Sequence, residues 1–232
     1  MSISATTLTE TSVAEQAQTL KDWLDNNAKG VYFSDVVMAD GVITCYIGED
    51  KILEFGVASG NNRCRVYIKY ENTRVFSAYS SASGKVFKHL VRTDYGLMIS
   101  WLNYSSSSYY EKIFISRTDK NSVGVVMVSQ NSATNTTAYV GAADFDNSTS
   151  GTYLFQGKAM SSAEWRDFFG IDSYSYSSLC PISITQSAAT ETPSYMPYVY
   201  FYKQCQDKTS GIKSMILNGV EFFSDGQMAM RG

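Results

Sequence analysis

Large hydrophobic residues alternate with polar ones through the middle of the chain, with the two-residue period of a β-strand. Residues 97–102 and 110–116 show this alternation, and a serine-rich segment separates them. Residues 123–128 are nearly all apolar, which predicts a strand that is covered on both faces. Residues 97–130 are therefore predicted to form a meander of three strands.

Turn signals surround further short segments of the same kind. Asp40-Gly41 and Asn218-Gly219 each lie between two apolar segments, and these dipeptides are typical of two-residue hairpin turns. From residue 31 the strands follow at roughly ten-residue intervals without an intervening helical pattern. The pattern predicts a mainly β chain, built as an antiparallel meander or β-sandwich.

The first part of the chain has a different period. Ser12 and Glu15 have the spacing of a helix capping box, which predicts an amphipathic helix over residues 12–26. Its apolar stripe consists of Val13, Ala17, Leu20 and Leu24. This stripe packs either on the chain's own sheet or against another subunit, and the spacing does not distinguish the two. Residues 1–11, rich in Thr and Ser, are predicted to be a loose arm or one that orders on assembly.

Three later segments lack strong periodicity. Residues 131–151 are mostly small and polar, and predict a long surface loop or a boundary between two halves. Residues 162–169 follow a second capping-box spacing and predict a short internal helix. Residues 173–197 contain three prolines, and are predicted to be irregular and exposed. The domain organisation predicted is an arm and helix over 1–30 and an all-β domain over 31–232, with a division near 131–151 left open.

Net charge, hydropathy and cysteine spacing indicate which kinds of partner and site are not expected. The net charge is −3, and Lys and Arg form no cluster of the kind that binds phosphates, so nucleic acid is not an expected direct partner. No apolar run has the length of a membrane span, and the first residues do not resemble a signal peptide, so no membrane contact is expected. Four cysteines lie far apart without a C-x-x-C pair, and are predicted to be reduced and mostly buried: Cys45, Cys64, Cys180 and Cys205.

Candidate chemistry is sparse. His89 is the one histidine, and it lies in a predicted strand without a nucleophile elbow nearby, so it is interpreted as a structural residue. Asp144 and Asp146 are two residues apart and would share a face of an extended segment, either as an acid pair or cation site or as part of a solvated loop. The sequence predicts no catalytic residue, no cofactor and no metal site.

Tyrosines are the best candidates for recognition. The mixture of Ser and Tyr in the second half of the chain is typical of adaptable recognition loops, although ordinary strand composition also explains it. The tyrosines chosen as candidate interface residues are Tyr174, Tyr176, Tyr195 and Tyr198. They would contact a protein or a sugar.

Residues 7–24, followed directly by strands, and residues 218–231 resemble virion structural proteins of tailed bacteriophages and prophages. The second segment is similar to short Asn-Gly hairpins at the C-termini of their tail and baseplate components. The resemblance implies a non-enzymatic tail, baseplate or capsid-associated protein in a virion assembled in the bacterial cytoplasm. Its expected partners are copies of itself or other virion proteins. The alternatives are a β-module that binds a host-surface glycan or protein and, third, a glycosidase or amidase.

Overall fold

The protein is mainly β, with antiparallel sheets and one helix among the described residues. The computed structural model describes residues 4–9, 12–58, 63–70, 73–79, 87–102, 110–119, 121–130, 137–144, 154–155, 179–184, 194–202, 213–217, 219–224 and 228–232. The predicted second helix over residues 162–169 lies outside the described residues.

The helix is α1 (Val13–Asn27). The strands are β1 (Ser4–Thr7), β2 (Asp35–Ala39), β3 (Val42–Ile47), β4 (Asp50–Ala58), β5 (Arg63–Tyr70), β6 (Thr73–Tyr79), β7 (Phe87–Arg92), β8 (Gly96–Leu102), β9 (Tyr110–Arg117), β10 (Val123–Gln130), β11 (Thr137–Asp144), β12 (Leu154–Phe155), β13 (Leu179–Ile184), β14 (Ser194–Tyr202), β15 (Lys213–Leu217), β16 (Val220–Ser224) and β17 (Met228–Arg231).

The strands form three sheets. A central seven-stranded sheet has the order β1-β7-β8-β9-β10-β11-β12, and the first sheet, of five strands, has the order β2-β3-β4-β5-β6. The C-terminal sheet has the order β13-β14-β17-β16-β15. The predicted meander over residues 97–130 is confirmed, because β8, β9 and β10 are consecutive antiparallel neighbours in the central sheet.

The predicted N-terminal helix is also confirmed. The Ser12 hydroxyl accepts a hydrogen bond from the Glu15 backbone N–H at 3.2 Å, which forms the capping box with the Glu15 carboxylate. Ala17, Leu20 and Leu24 are buried in the same hydrophobic core as residues of the central and first sheets. The helix thus packs on the chain's own sheets.

Both faces of the central sheet are covered at strands β8 and β9. On one face Ile99 and Ile113, paired across β8 and β9, join the core that α1 and the first sheet complete. On the other face Met98 and Phe114 are also paired and buried. The C-terminal sheet lies on this side, where Met196 and Met230 approach glycines of the central sheet. The two-sided burial predicted for β10 is confirmed for its first residues.

Hairpin turns follow the local chemistry of the sequence. Asp40 and Gly41 both have positive φ, 50° and 76°, as the two-residue turn between β2 and β3 requires. Gly219, at φ 77°, lies in the turn between β15 and β16. Both predicted hairpins are therefore present.

Two sequence-based expectations of irregular structure were wrong. Residues 137–144 form β11 and continue the central sheet instead of a surface loop, because their backbone pairs in antiparallel register with β10, the strand next to them along the sheet. Pro181 and Pro197 lie in strands β13 and β14 instead of an irregular segment. Prolines fit there because β13 is an edge strand and the pairing of these two strands shifts register next to Pro181.

The arm also differs from expectation. Ser4–Thr7 pair with β7 of the same chain as strand β1, and Leu8 is buried in the hydrophobic core. Backbone hydrogen bonding to the edge of β7 and burial of Leu8 order this segment without a second subunit. Within the described part of the chain, no helix combines the length and apolar character needed to cross a membrane.

Candidate interaction surface

Strand β1 forms an open edge of the central sheet. Its residues pair with β7 in antiparallel register, from Ser4 opposite Arg92 to Thr7 opposite His89. All four β1 residues are exposed, so the strand gains little side-chain burial from its own chain. The Thr7 hydroxyl lies 3.2 Å from His89 Nδ1 and adds one side-chain contact to the backbone ladder. Among the described strands, β1 has β7 as its one neighbour.

The other sheet edges carry features that discourage strand addition, since charged residues, prolines and short length all protect an edge. Edge strand β2 carries Asp35, β6 carries Arg74, β13 carries Pro181 and β15 carries Lys213. Edge strand β12 has two residues. Strand β1 consists of Ser, Ala, Thr and Thr; it is short, with four residues, but it has neither a charge nor a proline.

An open edge of this composition can bind another strand through its unpaired backbone N–H and C=O groups. Every second N–H and C=O of an edge strand points away from the sheet, and an incoming strand satisfies these groups with a new ladder. Thr has high strand propensity, and Thr paired with Thr or Ser forms favourable cross-strand contacts. Strand β1 is therefore the described edge most open to pairing with another chain.

A second feature is an aromatic and cationic cluster between two sheets. The Tyr95 and Tyr198 rings stack, with centroids 4.4 Å apart and planes 29° apart. The Arg231 guanidinium carbon lies 4.7 Å from the Tyr95 ring centroid. Tyr95 lies in the turn between β7 and β8, whereas Tyr198 and Arg231 belong to the C-terminal sheet. The half-buried cluster ties this sheet to the turn and leaves part of each side chain at the surface.

An irregularity in strand pairing places Tyr198. Ile182 of β13 pairs with Met196, but the preceding residue, Pro181, pairs with Tyr200. Residues 197–199 therefore lie at the register shift between these two pairs, and Tyr198 lies in this bulge. Bulges redirect side chains, and here the bulged residue stacks on Tyr95.

The predicted interface residues have different positions. Ala17, Leu20 and Leu24 face the chain's own core, so they are not available to a partner in this structure. Tyr198 is half-buried in the cluster described above. The structure does not describe the side chains of Val13 and Tyr195. It does not describe Tyr174 and Tyr176 at all.

One polar row crosses the central sheet. His89 pairs with Ser100, and Ser100 pairs with Lys112, so three residues of the types used in nucleophilic catalysis lie on consecutive strands. Ser100 and Lys112 are each 2% exposed, so a substrate cannot touch them in this structure. His89 lies in β7, as the strand interpretation predicted, and its ring contacts Thr7.

Other candidate chemistry is equally limited. Cys45 is a buried free thiol, and burial is the main reason that its pKa is raised far above the ordinary value, with a smaller effect of the Asp25 charge. A thiol of this kind is inert, since the thiolate is the reactive form. The described residues contain no group of three His, Cys, Asp or Glu side chains that could hold a metal ion. Asp146 and the side chain of Asp144 lie outside the described structure.

Sequence reasoning missed the open edge and two members of the cluster. The uncharged sequence of residues 4–7 was a usable signal for an edge strand, but its Thr and Ser content was interpreted as a loose arm. Tyr95 and Arg231 meet Tyr198 through long-range packing, which no local pattern indicates.

Comparisons with known proteins give no assignment. No family model matches the chain, and no curated protein matches it.

Proposed function

We propose that this protein is a non-enzymatic structural component of a phage particle, in the tail, the baseplate or associated with the capsid, and that it acts through contacts between subunits. The class of protein is suggested by the resemblance of residues 7–24 and 218–231 to virion structural proteins. The observation that carries the subunit contacts is the uncharged, exposed edge strand β1. A repeating particle supplies cover for such an edge from a neighbouring subunit.

The fold is consistent with this role. Three antiparallel sheets bury extensive apolar surface, and the C-terminal strand β17 pairs with both β14 and β16. Among the described residues, Cys45 and Ser100 are buried, and the His89 ring contacts Thr7 of the neighbouring strand. In this proposal the protein functions by binding other chains at its surface.

Mass measurement in solution tests the proposal. Light scattering coupled to size exclusion, over a wide concentration range, should detect a defined oligomer of the wild-type chain. A wild-type chain that stays monomeric at high concentration, and that does not join particles when produced with them, would contradict the proposal.

The exposed part of the aromatic cluster favours a second candidate function, binding of a host-surface glycan. Aromatic rings beside a guanidinium group are suited to sugars that carry acidic groups. Tyr198→Ala should then reduce binding to an array of acidic glycans, whereas Tyr46→Ala, a change of a half-buried tyrosine in the first sheet, should not. A wild-type chain that binds no glycan on the array removes this candidate.

A further inference from the structure

We infer that two copies of this chain pair through strand β1 across a two-fold axis, so that their central sheets join into one continuous sheet. This inference rests on the proposed function and names the partner of the open edge as a second copy. The partner's recognition element is its own β1, aligned antiparallel.

The composition of β1 favours a copy of itself. Antiparallel pairing of a strand with an identical strand is self-complementary, because each residue contact occurs twice across the two-fold axis. A strand with net charge would meet the same charge on the other copy, which is destabilising. Residues 4–7 carry no charge, so the pairing brings no like charges together.

Exposure of the strand makes it accessible to this partner. Both faces of β1 are exposed, and the Arg92 side chain on the neighbouring strand is exposed as well. All four residues of β1 are exposed, and β7 is the strand's one neighbour among the described strands, so a second copy can approach the outer edge of β1. The other described edges lack this combination, since each is charged, contains proline or is two residues long.

Register follows from the strand's length. When residues 4–7 of the two copies overlap completely, Ser4 lies opposite Thr7 of the other copy, and Ala5 lies opposite Thr6. Residues directly opposite in an antiparallel pair have side chains on the same face, with Cβ atoms about 4.5–5.5 Å apart. Charges at positions 5 and 6 of one copy would therefore face positions 6 and 5 of the other.

An experiment that introduces charges into β1 tests this geometry. The double variant Ala5→Lys/Thr6→Lys places lysines opposite lysines, and Ala5→Glu/Thr6→Glu does the same with carboxylates. Each should be monomeric at concentrations where the wild type is dimeric or larger. A one-to-one mixture places Lys opposite Glu and should restore the wild-type species in light scattering. Because the replaced side chains are exposed, circular dichroism should show folded chains.

Ile216→Lys is the matched control. Ile216 is 71% exposed on edge strand β15, so this change adds one lysine to a different sheet edge. Ile216→Lys should keep the wild-type mass.

Each outcome decides a different question. An oligomer that keeps its mass in both charged variants overturns the β1 contact and leaves the proposed function intact. Loss of the oligomer in both charged variants, without recovery in the mixture, also overturns the two-fold pairing. A wild-type chain that is monomeric at all concentrations contradicts the inference, and it also contradicts the proposed function when the chain does not join particles produced with it.

Discussion

The side-chain carbonyl of Gln16 accepts a hydrogen bond from the backbone N–H of Phe87 at 2.9 Å. Gln16 lies on the first turns of α1, and Phe87 is the first residue of β7, the strand that carries β1. Both residues are buried. This bond satisfies a backbone donor at the start of β7 and fixes the helix relative to the edge of the central sheet.

Replacing Gln16 should therefore destabilise the protein. Gln16→Leu keeps a similar volume but leaves the Phe87 N–H without this acceptor, which costs about 1–3 kcal/mol for a buried donor. Urea unfolding should show the loss. The control is Gln18→Leu, since Gln18 is exposed and bonds Asp22 of the same helix at 2.8 Å. Equal effects of the two changes would mean that the bond to Phe87 contributes nothing.

The parts of the fold that sequence predicted are those in which local chemistry decides the outcome. Asp40-Gly41 forms its turn because both residues tolerate positive φ, and this is a property of the dipeptide itself. Leu20 and Leu24 recur at helical spacing after the Ser12 cap, so the buried face of the helix follows from the sequence alone.

The wrong predictions depend on long-range pairing. Pro197 is acceptable within β14 because it lies at a bulge, where the strand register shifts, and this register is set by the whole sheet. Residues 4–7 become a strand because β7 offers an edge far away in sequence. The candidate site also depends on long-range packing. Tyr198 was chosen for the Ser- and Tyr-rich sequence around it, but its contacts Tyr95 and Arg231 lie in other elements.

Burial of the helix stripe leads to a distinct prediction. Leu20→Ala removes a fully buried side chain from the core shared by α1 and two sheets, so it should lower the free energy of unfolding by about 2–5 kcal/mol. Leu20→Asp should prevent folding, because an unpaired carboxylate would enter that core. Thermal unfolding measures the first effect, with Gln18→Ala as the exposed control. If Leu20→Ala instead dissociated an oligomer without changing the melting temperature, the stripe would face a partner.

The stacked tyrosines should contribute to stability together. A double-mutant cycle with Tyr95→Ala and Tyr198→Ala should give a coupling energy of about 0.5–1.5 kcal/mol, the range for aromatic pairs. Tyr95→Ala with Tyr46→Ala is the matched cycle without a stacking contact, and should be nearly additive. Coupling near zero for Tyr95 and Tyr198 would indicate that their stack does not hold the C-terminal sheet to the turn.

Tyr32 should make stability fall at alkaline pH. Burial has the largest effect and raises the pKa of Tyr32 above its ordinary value of 10.0. The positive charges of Arg117 and Arg92 lower this pKa by less. The unfolded chain releases this proton at lower pH than the folded chain, so the stabilisation is complete below pH 10.0 and is lost as pH rises through the folded pKa. Tyr32→Phe has no such proton, so its free energy of unfolding should fall less between about pH 9 and pH 11. Parallel pH curves for both proteins would show that Tyr32 ionises alike in both states.

The close approach of the central and C-terminal sheets predicts different costs at two glycines. A Cβ atom at Gly96 would lie 2.8 Å from the Ile115 backbone oxygen and 2.9 Å from Met230 Sδ. At Gly124 the nearest atoms belong to the side chains of Thr118 and Met196, at 3.0–3.2 Å. A backbone carbonyl held in a sheet cannot move as a methionine side chain can. Gly96→Ala should therefore lower the free energy of unfolding in urea by about 1–3 kcal/mol, and Gly124→Ala should lower it by less. A larger cost at Gly124 would mean that the methionine layer between the two sheets is the less adaptable contact.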